Sequence, residues 1–230
     1  MRDTLFESLR DALKLEIPPV AVAFLDAAPD GIDRIDSSVP AGCAFWRLAR
    51  ERVFYTVAAD HIGCAIGVLT MGLEAGPDVM REAGELVTEM EALGYLQPGE
   101  ATALPSVRSA PAAIAYGPLD GFPLDPQVVL VTSTPEQAMV LAEAAGAVEL
   151  NGPGLRLHGR PACAAIPRAL ESARLEISLG CAGMRTFTAV EPGMLLSVLP
   201  APMLSGLVER LATAASANES MRAHYAEKLG

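Results

Sequence analysis

Six apolar residues in succession, Val20-Ala21-Val22-Ala23-Phe24-Leu25, stand between Pro18-Pro19 and the turn residues Pro29-Asp30-Gly31, and they constrain the fold more than any other stretch. A run so short, fenced by helix breakers, reads as a buried strand. Around it the pattern alternates. Leu5, Phe6, Leu9 and Leu13 share one helical face ahead of Pro18-Pro19, Val53 to Val57 reads as a strand, and Pro77 to Leu93 has the spacing of an amphipathic helix closed by Gly94.

Further on, Val128-Val129-Leu130-Val131 predicts a strand and Thr134-Pro135-Glu136-Gln137 a helix start. Thr134 can cap, Pro135 suits the first helical position, and Gln137 completes a capping box. Asn151-Gly152-Pro153-Gly154 has the composition of a hairpin turn. A helix follows over Ala164 to Ser172, then a strand over Leu175 to Leu179, and a last helix from about Pro202 to Ala226. Pro111-Ala112-Ala113-Ile114-Ala115-Tyr116 echoes the segment from Pro19 to Phe24. The expected fold is α/β, with mixed sheet or sheets flanked by helices, built from two weakly related αβ halves in one compact unit. Residues 1–100 carry Cys43 and Cys64, and residues 101–230 carry Cys163 and Cys181.

Hydrophobic residues make up 51% of the 230 but aromatic ones only 5%, so the core must rest on Ala, Val, Leu and Ile with Met as filler. A net charge of −11 repels both a phosphate backbone and an anionic lipid surface, which argues against nucleic acid as partner. Charges interrupt the apolar positions of the first ten residues, so no signal-peptide core is expected there. Nor does any apolar run reach the roughly 20 residues needed to span a bilayer. These features predict a cytoplasmic protein with no membrane partner. In that compartment thiols stay reduced, and four cysteines then point to metal binding or chemistry before disulfides.

Cys43 and Cys64 are far apart in sequence, as are Cys163 and Cys181, so neither pair is a Cys-x-x-Cys motif. Their context is more telling than their spacing. Cys43, Cys64 and Cys181 each follow a glycine, and Cys163 lies in the turn Gly159-Arg160-Pro161-Ala162. Glycine allows close approach of backbone to a cofactor and exposes N–H groups to sulfur. Several of these cysteines would stand at the first turn of a helix, a position that lowers thiol pKa. Thiolates converging on an apolar pocket repel one another unless a cation neutralises them. Buried free cysteine is the ordinary alternative, since Cys is a common small core residue. By ligand count, zinc and a four-iron cluster fit equally.

Four segments resemble a known family: Gly42-Cys43-Ala44-Phe45-Trp46, Asp60-His61-Ile62-Gly63-Cys64-Ala65-Ile66-Gly67, Gly159-Arg160-Pro161-Ala162-Cys163-Ala164-Ala165-Ile166-Pro167 and Ser178-Leu179-Gly180-Cys181-Ala182-Gly183-Met184-Arg185. In this order they resemble the archaeal and bacterial family called uncharacterised ArCR, the domain of unknown function numbered 169. The resemblance implies a prokaryotic protein with a four-cysteine pattern and supplies no settled activity. Met184 departs from it, standing where the family's Gly-Asn-Arg pattern has Asn.

Further candidates surround the cysteines. His61, three residues before Cys64, could serve the same centre as proton donor, outer hydrogen-bond partner or replacement ligand, or be a hydrogen-bonded histidine at a strand end. Arg160 and Arg185 could hold an anionic substrate or offset the charge of a cluster; surface pairing with carboxylates is the plainer role. Trp46 and Tyr55 could line a pocket beside Cys43 or be core anchors. No dinucleotide or Walker-type loop is present, and Gly-x-Ser-x-Gly is absent.

The leading expectation is one four-iron (4Fe-4S) iron–sulfur cluster on Cys43, Cys64, Cys163 and Cys181, with a redox or substrate-activating role and a small-molecule substrate or redox partner. The alternative is a structural zinc (Zn) clamp in a non-enzymatic small-molecule-binding or interaction protein. A third reading is metal-free thiol chemistry at Cys43 or Cys181. A homo-oligomer is compatible with each.

Overall fold

A computed structural model of the protein describes residues 2–146, 155, 157–204 and 206–229. Helix α1 (Arg2–Leu13) leads into β1 (Val20–Leu25), then α2 (Ala44–Leu48), β2 (Phe54–Thr56), α3 (Ala65–Thr70), α4 (Pro77–Ala92) and β3 (Ala113–Pro118). After β4 (Val128–Ser133) come α5 (Pro135–Ala144), β5 (Leu157–His158), α6 (Ala165–Ser172), β6 (Glu176–Ser178), α7 (Ala182–Thr188), β7 (Leu195–Pro200), α8 (Ala201–Leu204) and α9 (Leu207–Glu227). The strands form a mixed sheet of order β2-β3-β1-β4-β7-β6-β5, antiparallel except where β5 joins β6 in parallel. The fold is therefore α/β, a mixed sheet flanked by helices.

β1 lies between β3, which pairs with all six of its residues, and β4, which pairs with Val20 to Val22, and its alternate side chains enter two cores. Val20, Val22 and Phe24 point into one core with Ile114, Tyr116, Val128, Leu130, Leu196 and Val198; α2, α3, α6 and α7 close this face. Ala21 and Ala23 point into the other with Ala115, Val129, Val131 and Leu199, under α1, α5 and α9. Alanine on that face lets the three helices come close to the strands. All four cysteine-bearing segments belong with the helices of the first face.

The capping box at α5 is formed on both sides: Thr134 Oγ1 accepts from the Gln137 N–H at 3.2 Å, and Gln137 Oε1 accepts from the Thr134 N–H at 2.8 Å. Gln137 Nε2 also donates to Leu13 O, tying the start of α5 to the end of α1. Two features differ from the expectations. The final helix is two helices, because Gly206 takes φ +73°, a left-handed turn between α8 and α9. Strand β7, unremarked in the sequence, lies inside the sheet between β4 and β6. β1, from residues 1–100, is flanked by β3 and β4 from residues 101–230, so both stretches contribute to one sheet. The hairpin expected at Asn151-Gly152-Pro153-Gly154 lies outside the described residues.

Candidate functional site

Four cysteines reach one place because each sits where a turn hands over to a helix. Cys43 precedes α2, Cys64 precedes α3, Cys181 precedes α7, and Cys163 lies in the 3-10 turn Ala162–Ala164 that runs into α6. All four cysteines line a single cavity of about 470 Å³. No disulfide joins them. Cys181 acts as the cap of its helix, its Sγ accepting the Met184 N–H at 3.4 Å.

Helix starts would lower a thiol's pKa, yet the two cysteines that shift go the other way. Burial pushes Cys43 up to about 12, with the negative charges of Cys64 and Cys181 adding to it. Cys163 rises further, through burial first, then Cys64, Cys181 and Cys43; the neighbouring Thr70 hydroxyl works in the opposite sense. Desolvation and mutual repulsion outweigh the helix ends. In the metal-free protein these two side chains are therefore neutral thiols, which corrects the expectation of an activated thiolate at Cys43.

Glycines beside the cysteines are required by packing. A Cβ on Gly67 would lie 2.8 Å from Cys64 Sγ, and one on Gly63 would lie 2.6 Å from the Val39 carbonyl oxygen. A Cβ on Gly42 would sit 3.2 Å from His61 Nδ1 and 3.9 Å from Cys64 Sγ, so glycine here lets the backbone pack close to both atoms. Gly180 takes φ +85°, the left-handed bend that turns the chain from β6 towards Cys181.

His61 is 1% exposed and lines the cavity. The edge of its ring meets Phe45 with centroids 4.8 Å apart, and its Nε2 lies 2.9 Å from Thr56 Oγ1. Thr56 Oγ1 also donates to the Ile114 carbonyl at 3.4 Å. Nδ1 is buried and has no hydrogen-bond partner. Burial lowers the His61 pKa to about 4, only partly opposed by Asp60.

Trp46 lines the cavity as well, while its indole packs in the first core. Arg160 lies at the cavity wall, 3.2 Å from Glu100 and with its guanidinium 4.8 Å from the Tyr95 ring centroid. It thus pairs with a carboxylate and faces the cavity at once. Arg185 and Tyr55 are placed elsewhere. The Arg185 guanidinium donates to the carbonyls of Leu179, Glu191, Pro192 and Met194, stitching the bend before Cys181 to the loop before β7. Tyr55, on edge strand β2, packs against the opposite core.

The sequence did not single out Arg168, Tyr116 or Tyr95. Arg168 lines the cavity, its Nε is buried without a partner, and no carboxylate pairs with it among the described residues. Its one sequence signal is its position five residues after Cys163. Tyr95 follows α4 and its hydroxyl accepts the Ala182 N–H at 3.3 Å, which pins the α4 end of the cavity wall to the helix that Cys181 starts. Among the described residues, no three His, Cys, Asp or Glu side chains are gathered as a single metal ion requires. The sulfurs ring a space and do not meet at a point.

Fold and site together define a mixed-sheet α/β protein with a four-cysteine cavity on one face of the sheet. The chain belongs to the uncharacterised ArCR family, domain of unknown function 169, whose profile matches residues 8–210. It is similar to an uncharacterized protein of Methanocaldococcus jannaschii, 24% identical over 220 residues that cover 89% of this chain and 91% of the other. No solved structure matches it. Among the described residues, no helix is long and apolar enough to cross a membrane.

Proposed function

We propose that Cys43, Cys64, Cys163 and Cys181 hold a four-iron iron–sulfur cluster in the cavity, and that the protein uses it for electron transfer or to activate a small substrate. The observation that carries this reading is that cysteines from four separate segments line one cavity, where burial first, and then the charges of the other three, push the Cys163 pKa up. Buried thiols so placed cannot all ionise unless a cationic guest neutralises them. When bound, such a cluster supplies one-electron chemistry, or a Lewis-acidic iron if one cysteine is not a ligand.

Donor type and number support this reading, with four cysteines lining the cavity. Arg168, with no carboxylate partner among the described residues, offsets the negative charge that four thiolates and sulfide bring. Thr70 favours the ionised form of Cys163, and the Met184 N–H donates to Cys181 Sγ. A zinc clamp asks for more rearrangement, since one tetrahedral zinc at about 2.3 Å from each ligand draws its sulfurs to within about 4 Å of one another. Anaerobic purification followed by visible absorption and EPR tests the proposal. A brown protein with an EPR signal after dithionite reduction is expected; zinc near one equivalent, with unfolding on chelation, would replace it by the clamp.

A further inference from the structure

Charge on the cavity wall does not cancel. Among the described residues that line it, Arg160, Glu100 and Arg168 are the ones that carry a fixed charge. Arg160 and Glu100 pair with each other, and burial keeps His61 neutral and Cys43 and Cys163 as thiols. Arg168 is left over. Glu171, the acid one turn further along α6, is taken by Arg108, so even in a chain of net charge −11 no carboxylate among the described residues pairs with Arg168. Its Nε is closed off, whereas Nη1 and Nη2, equally without hydrogen bonds among the described residues, are not. Two such nitrogens form an end-on fork for both oxygens of a carboxylate. The same cavity is lined by Leu86, Val87 and Met90 of α4 and by Leu96 and Leu104 after it, and about 470 Å³ lies within the range of organic ligand sites.

The geometry points to an organic acid: we propose that the cavity binds a small monocarboxylate, with its carboxylate on the Arg168 guanidinium and its hydrocarbon body against the α4 wall. One uncompensated cation matches one negative charge. A phosphate monoester would bring a second charge out of water with nothing to pair it. The site stands on Arg168 and the cavity, and not on the iron–sulfur reading.

Four small probes test it on the metal-free protein: cyclohexanecarboxylate, its amide, cyclohexyl phosphate and acetate. Binding is read by calorimetry and by the fluorescence of Trp46, the single tryptophan and a wall residue. Cyclohexanecarboxylate should bind about ten- to a hundredfold more tightly than the amide, as hydrogen bonds between charged groups dictate. It should exceed acetate by at least about tenfold, through the apolar area it buries, and it should bind more tightly than the phosphate. In Arg168→Gln its affinity should fall to that of the amide. On the unaltered protein, phenylglyoxal should modify Arg168, as peptide mapping by mass spectrometry reads, and cyclohexanecarboxylate should protect it. Equal binding of acid and amide, no saturable binding, tighter binding of the phosphate, or an Arg168 that is unreactive or unprotected would overturn the proposal. The protection measurement decides even if the variant does not fold. Iron uptake is measured separately. Acid preference in a chain that takes up no iron retains the acid site and removes the cluster, and iron uptake without acid preference does the reverse.

Discussion

His61 carries its consequence in its surroundings. A histidine whose pKa falls from the ordinary 6.5 to about 4 stays neutral in the folded chain while the unfolded chain takes up a proton. Its contribution is whole above pH 6.5 and is lost as pH falls through 4, a total of about 3 kcal/mol for this shift. Urea denaturation of the metal-free protein should therefore show about 2 kcal/mol lost between pH 7 and pH 5 that His61→Phe does not lose. Equal losses would mean that His61 is solvated. At the thiols, Cys43 and Cys163 should react with iodoacetamide at pH 8 far more slowly than free cysteine, since both are held neutral. Fast alkylation of either would contradict the burial described. The sequence pointed to these cysteines through their glycines, but not to the sign of their shift, because burial depends on residues such as Tyr116 and Met90 that arrive from distant segments.

At the scale of elements, the strands and helices with strong local signals were legible and those defined by partners were not. β1, β4 and the α5 capping box announce themselves through proline fences, apolar runs and the Thr134 to Gln137 spacing. β7 and the break at Gly206 do not, since β7 is a strand by virtue of β4 and β6 on either side of it. Thr134→Ala should cost about 1 kcal/mol in denaturant midpoint analysis, the ordinary value of a lost cap. Arg185→Ala tests a different joint. Four carbonyls from two loops share its guanidinium, and without it stability should fall by about 1–2 kcal/mol. Loosening of the Gly180 bend should also weaken metal uptake at Cys181, and unchanged uptake would show that the bend holds by itself. Gly67→Ala is sharper, because its new methyl would stand 2.8 Å from Cys64 Sγ and must displace that sulfur.

The whole molecule joins a sheet with alternating faces to a cavity on one of them. Cysteines at 43, 64, 163 and 181 were readable as a set, while their meeting around one space follows from strand order: β3 and β4 flank β1, and this draws the segments before and after residue 100 together. Arg168 and the apolar wall of α4 were invisible beforehand, since a lone arginine and an amphipathic helix say nothing of which cavity they face. Ligation must expel the thiol protons, so metal uptake should weaken as pH is lowered. Iron and acid-labile sulfide counted per chain after anaerobic reconstitution at pH 8 bear most directly on the central claim. On the order of four of each, with marked loss in Cys163→Ser, is the predicted result; a colourless chain that retains neither, while circular dichroism shows it folded, would contradict it.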